Sequence, residues 1–334
     1  MPYFLRRIWN PAIYQGGSTN RRYFEGWYFK QADASGQHLL AVIPGVSYSA
    51  DGSSNHAFVQ VFAGGTYTHY FSYPIESFSF DPNKPFNARI GENTFTEKGM
   101  SLRLMDADTE VIGDIAFGDW KPWPVSALSP GIMGWYRFVP AMETYHGVLS
   151  LDHEVSGVVT IDGEALVMNG GRGYIEKDWG RGFPSAWIWA QSNHFDQPET
   201  SLSASIATIP WMGKSFTGSI VGLLCEGKLH RFTTYTGAKL AHVSTVGEEA
   251  HVVLRDRHEE IELLLHGCNA QSLKAPVLGS MAGHAAESLG GTIDVVLRDV
   301  SGGRSRLLFE GTGALAGIEV MNTNNELGGK DGNR

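Results

Sequence analysis

Residues 21–46, RRYFEGWYFKQADASGQHLLAVIPGV, hold two runs of aromatic and aliphatic residues, Phe24 to Gln31 and Leu39 to Val46, parted by Asp33, Ser35 and Gly36. Short runs of this kind, stopped by Gly, Asp, Asn or Pro, mark antiparallel strands. The pattern recurs at Ala57 to Phe62, Tyr67 to Tyr73, Gly147 to Leu151, Ser156 to Ile161, Trp187 to Asn193, Ser201 to Thr208 and Gly218 to Cys225. Val252 to Leu265 reads as a further pair folded about Asp256-Arg257. Long helical periodicity is almost absent, and Gly (41) with Pro (14) punctuates the chain about once in six residues. The chain is therefore all-β, built from antiparallel barrels or sandwiches.

With 334 residues and 42% hydrophobic content it can bury one large core or two ordinary ones. Strand clusters flank a glycine-rich segment, Asn169 to Gly182 (NGGRGYIEKDWGRG), which places a domain boundary near residue 175. The expected organisation is residues 1–175, residues 176–321, and a polar, glycine-rich tail, 322–334, that composition marks as disordered. Residues 118–142 (GDWKPWPVSALSPGIMGWYRFVPAM) form a long Pro- and Trp-bearing connection, the kind of loop that is functional or wraps a neighbouring domain.

The 26 basic and 35 acidic residues give a net charge of −9 with no dense Lys/Arg stripe, which excludes a nucleic-acid partner. Cys225 and Cys268 are too few and too far apart for a disulfide framework or a CxxC site, so a reducing, cytoplasmic compartment is expected. No secretory signal is visible at the N-terminus. The longest apolar runs, such as His38 to Val46, fall well short of the roughly 20 residues that span a bilayer, so any membrane contact is peripheral, through an apolar rim at a barrel mouth. His258-Glu259-Glu260-Ile261-Glu262 lacks the second histidine of HExxH, no other histidine spacing suits a metal, and neither a GxSxG elbow nor a dinucleotide loop occurs. No metal and no cofactor are expected.

Two aromatic segments carry carboxylates. In Arg21 to Lys30, alternation puts Glu25, Trp27 and Phe29 on one side of a strand. In Tyr174 to Asn193 (YIEKDWGRGFPSAWIWAQSN), Trp187, Trp189, Gln191 and Asn193 share a face that joins large apolar surfaces to amide groups, as a pocket for an amphipathic ligand does. Glu25 also reads as a buried partner for an arginine, and Gly180 and Gly182 as suppliers of backbone conformations closed to other residues.

These two segments resemble the signature stretches of tocopherol cyclases, with weaker echoes at Leu273-Lys274-Ala275-Pro276 and Ala316-Gly317-Ile318-Glu319-Val320. The resemblance implies two lipocalin-like antiparallel β-barrel domains, a fold shared with carotenoid hydratase-like proteins and some pericyclases. It also implies cofactor-independent, acid-catalysed cyclisation of a prenylated hydroquinone to a chromanol. Ring closure adds a phenolic oxygen across a trisubstituted alkene, so it needs a proton donor and faces that stabilise positive charge. Glu176 is the first candidate donor, followed by Asp178 and Glu25. Trp27, Trp179, Trp187 and Trp189 are the candidate aromatic faces, and Gln191, Asn193 or His194 would position and deprotonate the phenol. The expected partner is a hydrophobic small molecule, a prenylated aromatic or isoprenoid. Two alternatives share this reading of the residues: a hydratase or pericyclase acting on another polyene, and a non-catalytic isoprenoid or lipid carrier. The oligomeric state is not legible in the sequence.

Overall fold

A computed structural model describes residues 2–328 apart from 18, 20, 65 and 141. Among the described residues, one short α-helix, Tyr3–Trp9, precedes two large antiparallel sheets.

The first sheet has twelve strands: β1 (Tyr23–Ala32), β2 (Leu39–Tyr48), β3 (His56–Ala63), β4 (Tyr67–Pro74), β5 (Phe78–Phe80), β6 (Asn87–Ile90), β7 (Asn93–Thr96), β8 (Gly99–Met105), β9 (Glu110–Phe117), β10 (Thr144–Ile161), β11 (Glu164–Val167) and β12 (Gly171–Gly180). Their order is β4-β3-β2-β1-β12-β10-β9-β8-β7-β6-β5, with β11 paired to β10. One face wraps a core that includes Trp27, Phe29, Val42, Val59, Phe95, Leu102, Ile175 and Trp179. The second sheet has ten strands: β13 (Trp187–Ser192), β14 (Ser201–Trp211), β15 (Lys214–Cys225), β16 (Lys228–Thr233), β17 (Lys239–Val246), β18 (Glu249–Arg255), β19 (Glu259–His266), β20 (Gln271–Val277), β21 (Ser280–Asp299) and β22 (Arg306–Met321). Its own core gathers Ile188, Ala190, Leu202, Val221, Phe232, Val252, Leu263 and Val295. The all-β, two-unit lipocalin-like arrangement is thus what the chain adopts. No helix among the described residues is long and apolar enough to cross a membrane.

The division of the chain differs from the expected one. The first unit comprises residues 1–183 together with Lys274–His284, and the second takes the rest. The glycine-rich segment read as a boundary is instead β12, a strand in the middle of the first sheet, held by β1 on one side and β10 on the other. Its glycines are required by close approach rather than by flexibility. A Cβ at Gly171 would lie 2.1 Å from the Ala32 carbonyl oxygen, and one at Gly173 would lie 2.4 Å from His153 Nε2. Lys274–His284 joins the first unit through bonds with it: Ser47 Oγ donates to Gly279 O at 2.8 Å, and the Lys274 amide donates to Gln60 Oε1 at 3.0 Å. The tail is also more ordered than composition implies. Leu327 is fully buried and its amide donates to Asn322 Oδ1 at 3.2 Å, while residues 329–334 lie outside the described residues.

Gly180 closes β12 at φ +147°, where an added Cβ would sit 2.3 Å from the Glu143 carbonyl oxygen. Gly182, paired with it in the sequence reading, is not among the positive-φ glycines. Gly180→Ala is expected to destabilise by about 2 kcal/mol or more, since a backbone clash cannot be relieved by side-chain motion. A thermal melt checks this, and an unchanged Tm would refute it.

Candidate active site

The register of β12 sorts the candidate residues onto two faces of the first sheet. Glu25 lies opposite Trp179 and Trp27 opposite Lys177, so these four point into the core. There the chain's own N-terminal segment fills the space. Lys177 Nζ sits 2.5 Å from Glu25 Oε1, both side chains fully buried, and donates to the Pro11 and Ile13 carbonyls at 2.8 and 2.6 Å. It also lies 4.6 Å from the Trp27 ring centroid and 5.1 Å from that of Trp179. Glu25 accepts from the amides of Gln15 and Gly16 and from the Tyr23 hydroxyl, and Trp27 Nε1 donates to Ala12 O at 3.0 Å. Burial pulls the Lys177 amine down to about 8, against the opposing pull of Glu25. Glu25 is therefore the counter-ion of a lysine rather than an arginine. With its oxygens engaged by the chain itself, it is a structural acid here, across the sheet from Glu176 and Asp178.

On the opposite face, β12 presents Tyr174, Glu176 and Asp178, and the neighbouring strand β10 places His146 directly across from Asp178. Side chains directly opposite or one pair removed on the same face of an antiparallel sheet are in reach of each other. His146 Nδ1 is 2.9 Å from Asp178 Oδ1, its Nε2 is 3.7 Å from Glu176 Oε2, and the Tyr174 hydroxyl donates to Glu176 Oε2 at 2.5 Å. The His146 side chain is 10% exposed, Glu176 6% and Asp178 23%. Burial alone would strip the proton from His146, but Asp178 and then Glu176 more than offset it and push the imidazole up to about 9. The buried ring lies between two carboxylates that favour its protonated form, and its Nε2 has no hydrogen-bond partner among the described residues.

The raised pKa has a consequence for stability. A base that holds its proton more tightly when folded stabilises fully below its unfolded value near 6.5, progressively less as pH rises, and not at all above about 9. The stability gap between wild type and His146→Gln is expected to narrow by on the order of 3 kcal/mol from about pH 6 to about pH 10. Urea unfolding at both pH values measures it; a gap that stays constant would show that the imidazole is not charged in the fold.

His146, Glu176 and Asp178 are also the group among the described residues whose ligand atoms, all within 4.8 Å of one another, have the spacing of a metal site. Their contacts are those of a hydrogen-bonded ion pair, and the set lacks the thiolate or second imidazole that favours a tightly held transition metal.

The remaining candidates belong to the second unit. Trp187, Trp189 and Gln191 lie on the face of β13 turned away from the Ile188 and Ala190 core. Trp187 Nε1 donates to Glu319 Oε2 at 2.5 Å, and Glu319 pairs across the sheet with Trp189 and with Glu287. Asn193 is buried just beyond the strand, and His194 accepts the Ala314 amide at its carbonyl. The first unit thus unites Glu176 and Asp178 with Tyr174 and His146, and the second unites Trp187, Trp189 and Gln191 with Glu319. The sequence reading missed His146. It stands next to a recognised strand, but only the β10–β12 register reveals its partners.

Two lipocalin-like antiparallel units define the fold class. Residues 119–321 match the family described as tocopherol cyclase-like, and the chain belongs to that family. It is 25% identical over 210 residues to a probable chloroplastic tocopherol cyclase of Oryza sativa subsp. japonica, covering 59% of this chain and 43% of that protein. It is 26% identical over 171 residues to the chloroplastic tocopherol cyclase of Zea mays, covering 49% of this chain and 34% of that one. The chain thus spans less than half the length of the curated relatives it matches. Among solved structures, CghA (TM-score 0.54, 12% identity, 90% of this chain and 88% of that one) shares the fold. So does kievitone hydratase from Nectria haematococca (TM-score 0.51, 13% identity, 93% and 94%).

Proposed function

We propose that the chain cyclises a prenylated hydroquinone to a chromanol by proton transfer at His146, Glu176 and Asp178. The observation that carries this reading is the buried His146 ring, held by Asp178 at 2.9 Å, whose Nε2 lacks a hydrogen-bond partner among the described residues and faces the Glu176 carboxylate at 3.7 Å. Cyclisation is proton-neutral overall: one proton goes onto the alkene carbon and one leaves the phenol. The site offers both an acid and a base. His146 Nε2–H gives its proton to the less substituted alkene carbon while the phenolic oxygen bonds to the more substituted one. The phenolic proton then passes to Glu176, and from there back to His146 across the 3.7 Å gap. Concerted transfer matters because an imidazolium is too weak an acid to create a free tertiary cation, whereas simultaneous C–O bond formation avoids one. Asp178 keeps the ring charged and oriented, and Tyr174 fixes the Glu176 carboxylate.

Family membership and resemblance to two plant proteins bearing the tocopherol cyclase name support the substrate class. The test is incubation of the purified protein with a phytyl-hydroquinone under reducing conditions, followed by chromatography for the chromanol. Binding without turnover, in wild type and Glu176→Gln alike, would reduce the protein to an isoprenoid carrier. Product from a different polyene alone would make it a hydratase or pericyclase.

A further inference from the structure

The core of the first unit holds polar groups that the triad does not use. Gln31, Gly173 and His153 form one row across β1, β12 and β10, on the core side with Phe29 and Ile175 and away from the face of Glu176 and Asp178. Gln31 is fully buried and His153 is 3% exposed, yet both amide atoms of Gln31 and Nε2 of His153 lack a hydrogen-bond partner among the described residues. Buried polar groups are nearly always paired, so each such atom calls for an explanation. Gly173 permits the arrangement: a Cβ there would lie 2.4 Å from His153 Nε2, so the edge of the imidazole rests over the strand that parts it from Gln31. Aromatic rings surround the row. Phe117 and Trp120 lie 5.1 and 6.5 Å from the His153 ring, with Phe29 5.8 Å from Phe117 and Phe86 6.2 Å from Trp120. Trp120 Nε1 is likewise buried without a partner, and Trp120 also lines a cleft of about 540 Å³ together with Trp9, Trp123 and Leu149.

The hydrogen bonds around His153 decide what its Nε2 can bind. Ser150 Oγ donates its one hydrogen to Asp152 O at 2.9 Å, so towards His153 Nδ1, 3.0 Å away, it can only accept. Burial pulls the imidazole down to about 4, against the opposing pull of Asp152, and keeps the ring neutral. The single ring proton is therefore on Nδ1, and Nε2 offers a lone pair. That lone pair needs a donor, while the Gln31 amide beside it offers N–H groups that need an acceptor. A hydroxyl is both at once. The surrounding rings favour an aromatic carrier of that hydroxyl, and the cleft has the size of a small-molecule site. We propose that the first unit binds a phenol, whose O–H donates to His153 Nε2, whose oxygen accepts from the Gln31 amide, and whose apolar substituent lies in the cleft lined by Trp120. This site is on the other face of β12 from the triad, and it stands whether or not the triad cyclises prenyl-hydroquinones.

The experiment is calorimetric titration of the purified chain with para-hexylphenol and with its methyl ether, which keeps the ring and the alkyl chain but not the O–H. Wild type is expected to bind the phenol about tenfold more tightly than the ether. Gln31→Met keeps the length of the side chain and removes the amide. Its preference for the phenol is expected to shrink to within about twofold, while its Tm without ligand does not fall, since no hydrogen bond among the described residues is lost. Glu176→Gln, altered at the triad, is expected to bind the phenol as wild type does. Equal affinity of wild type for phenol and ether, or a preference that survives in Gln31→Met, overturns the proposal. So does loss of phenol binding in Glu176→Gln with Gln31→Met unaffected, which would put the phenol at the triad. Absence of saturable binding to wild type, with a lowered Tm in Gln31→Met, would make the occupant an ordered water and overturns it as well.

Discussion

Lys177→Met is expected to remove about 3–5 kcal/mol of folding stability, the range for breaking a buried ion pair by deleting one partner. The substitution preserves the aliphatic stem between Trp27 and Trp179 but leaves the Glu25 carboxylate buried without a counter-charge. It also strips the Pro11 and Ile13 carbonyls of their shared donor. Glu25→Gln should cost less, because an amide oxygen still accepts from the Gln15 and Gly16 amides and the lysine keeps two carbonyls. The double variant Glu25→Gln/Lys177→Met should be more stable than Lys177→Met alone, since no charge is then left uncompensated. Urea denaturation of the four proteins at neutral pH decides it. A loss below about 1 kcal/mol for Lys177→Met would mean that the pair does not hold the N-terminal segment in the core.

That pair shows what the sequence revealed and what it concealed. Alternation alone put Glu25, Trp27 and Phe29 on one side of a strand, and the structure places Trp27 and Phe29 together in the first core. Alternation could not say which side was open to a ligand, because that depends on whether another segment fills the space, and residues 11–16 fill it. Strands announced themselves well: the run Leu39 to Val46 lies inside β2, and the pair about Asp256-Arg257 became β18 and β19. Asn169 to Gly182 misled because glycine reads as punctuation when only composition is visible. In the sheet, Gly171 and Gly173 are sites where a carbonyl and a histidine ring press against the strand. The tail misled for the opposite reason: its polarity hides a single anchor, Leu327. His146 was illegible because a histidine in an alternating run is ordinary. What sets it apart is a long-range register, with Asp178 thirty-two residues away along the chain and directly across the sheet.

The same register underlies the largest functional effect. His146→Gln is expected to lower kcat for chromanol formation by about 10²–10⁴-fold, the usual worth of a positioned proton donor, with substrate affinity nearly unchanged. Glutamine retains a polar group beside Asp178 but cannot carry the transferable proton. Glu176→Gln should fall in the same range, and the double variant should be scarcely worse than either single one, because groups acting on one proton lose their function together. Asp178→Asn separates charge from position. It keeps a hydrogen-bonding side chain near His146 but removes the first of the two charges that hold the imidazole at about 9. The alkaline limb of its pH–rate profile should therefore move to lower pH, while its rate at acidic pH stays close to wild type. A pH profile that does not move, with a uniformly reduced rate, would make Asp178 a positioning group alone. Unimpaired turnover in both His146→Gln and Glu176→Gln would mean that the proton comes from elsewhere, with Glu319 beside Trp187 the next acid to test.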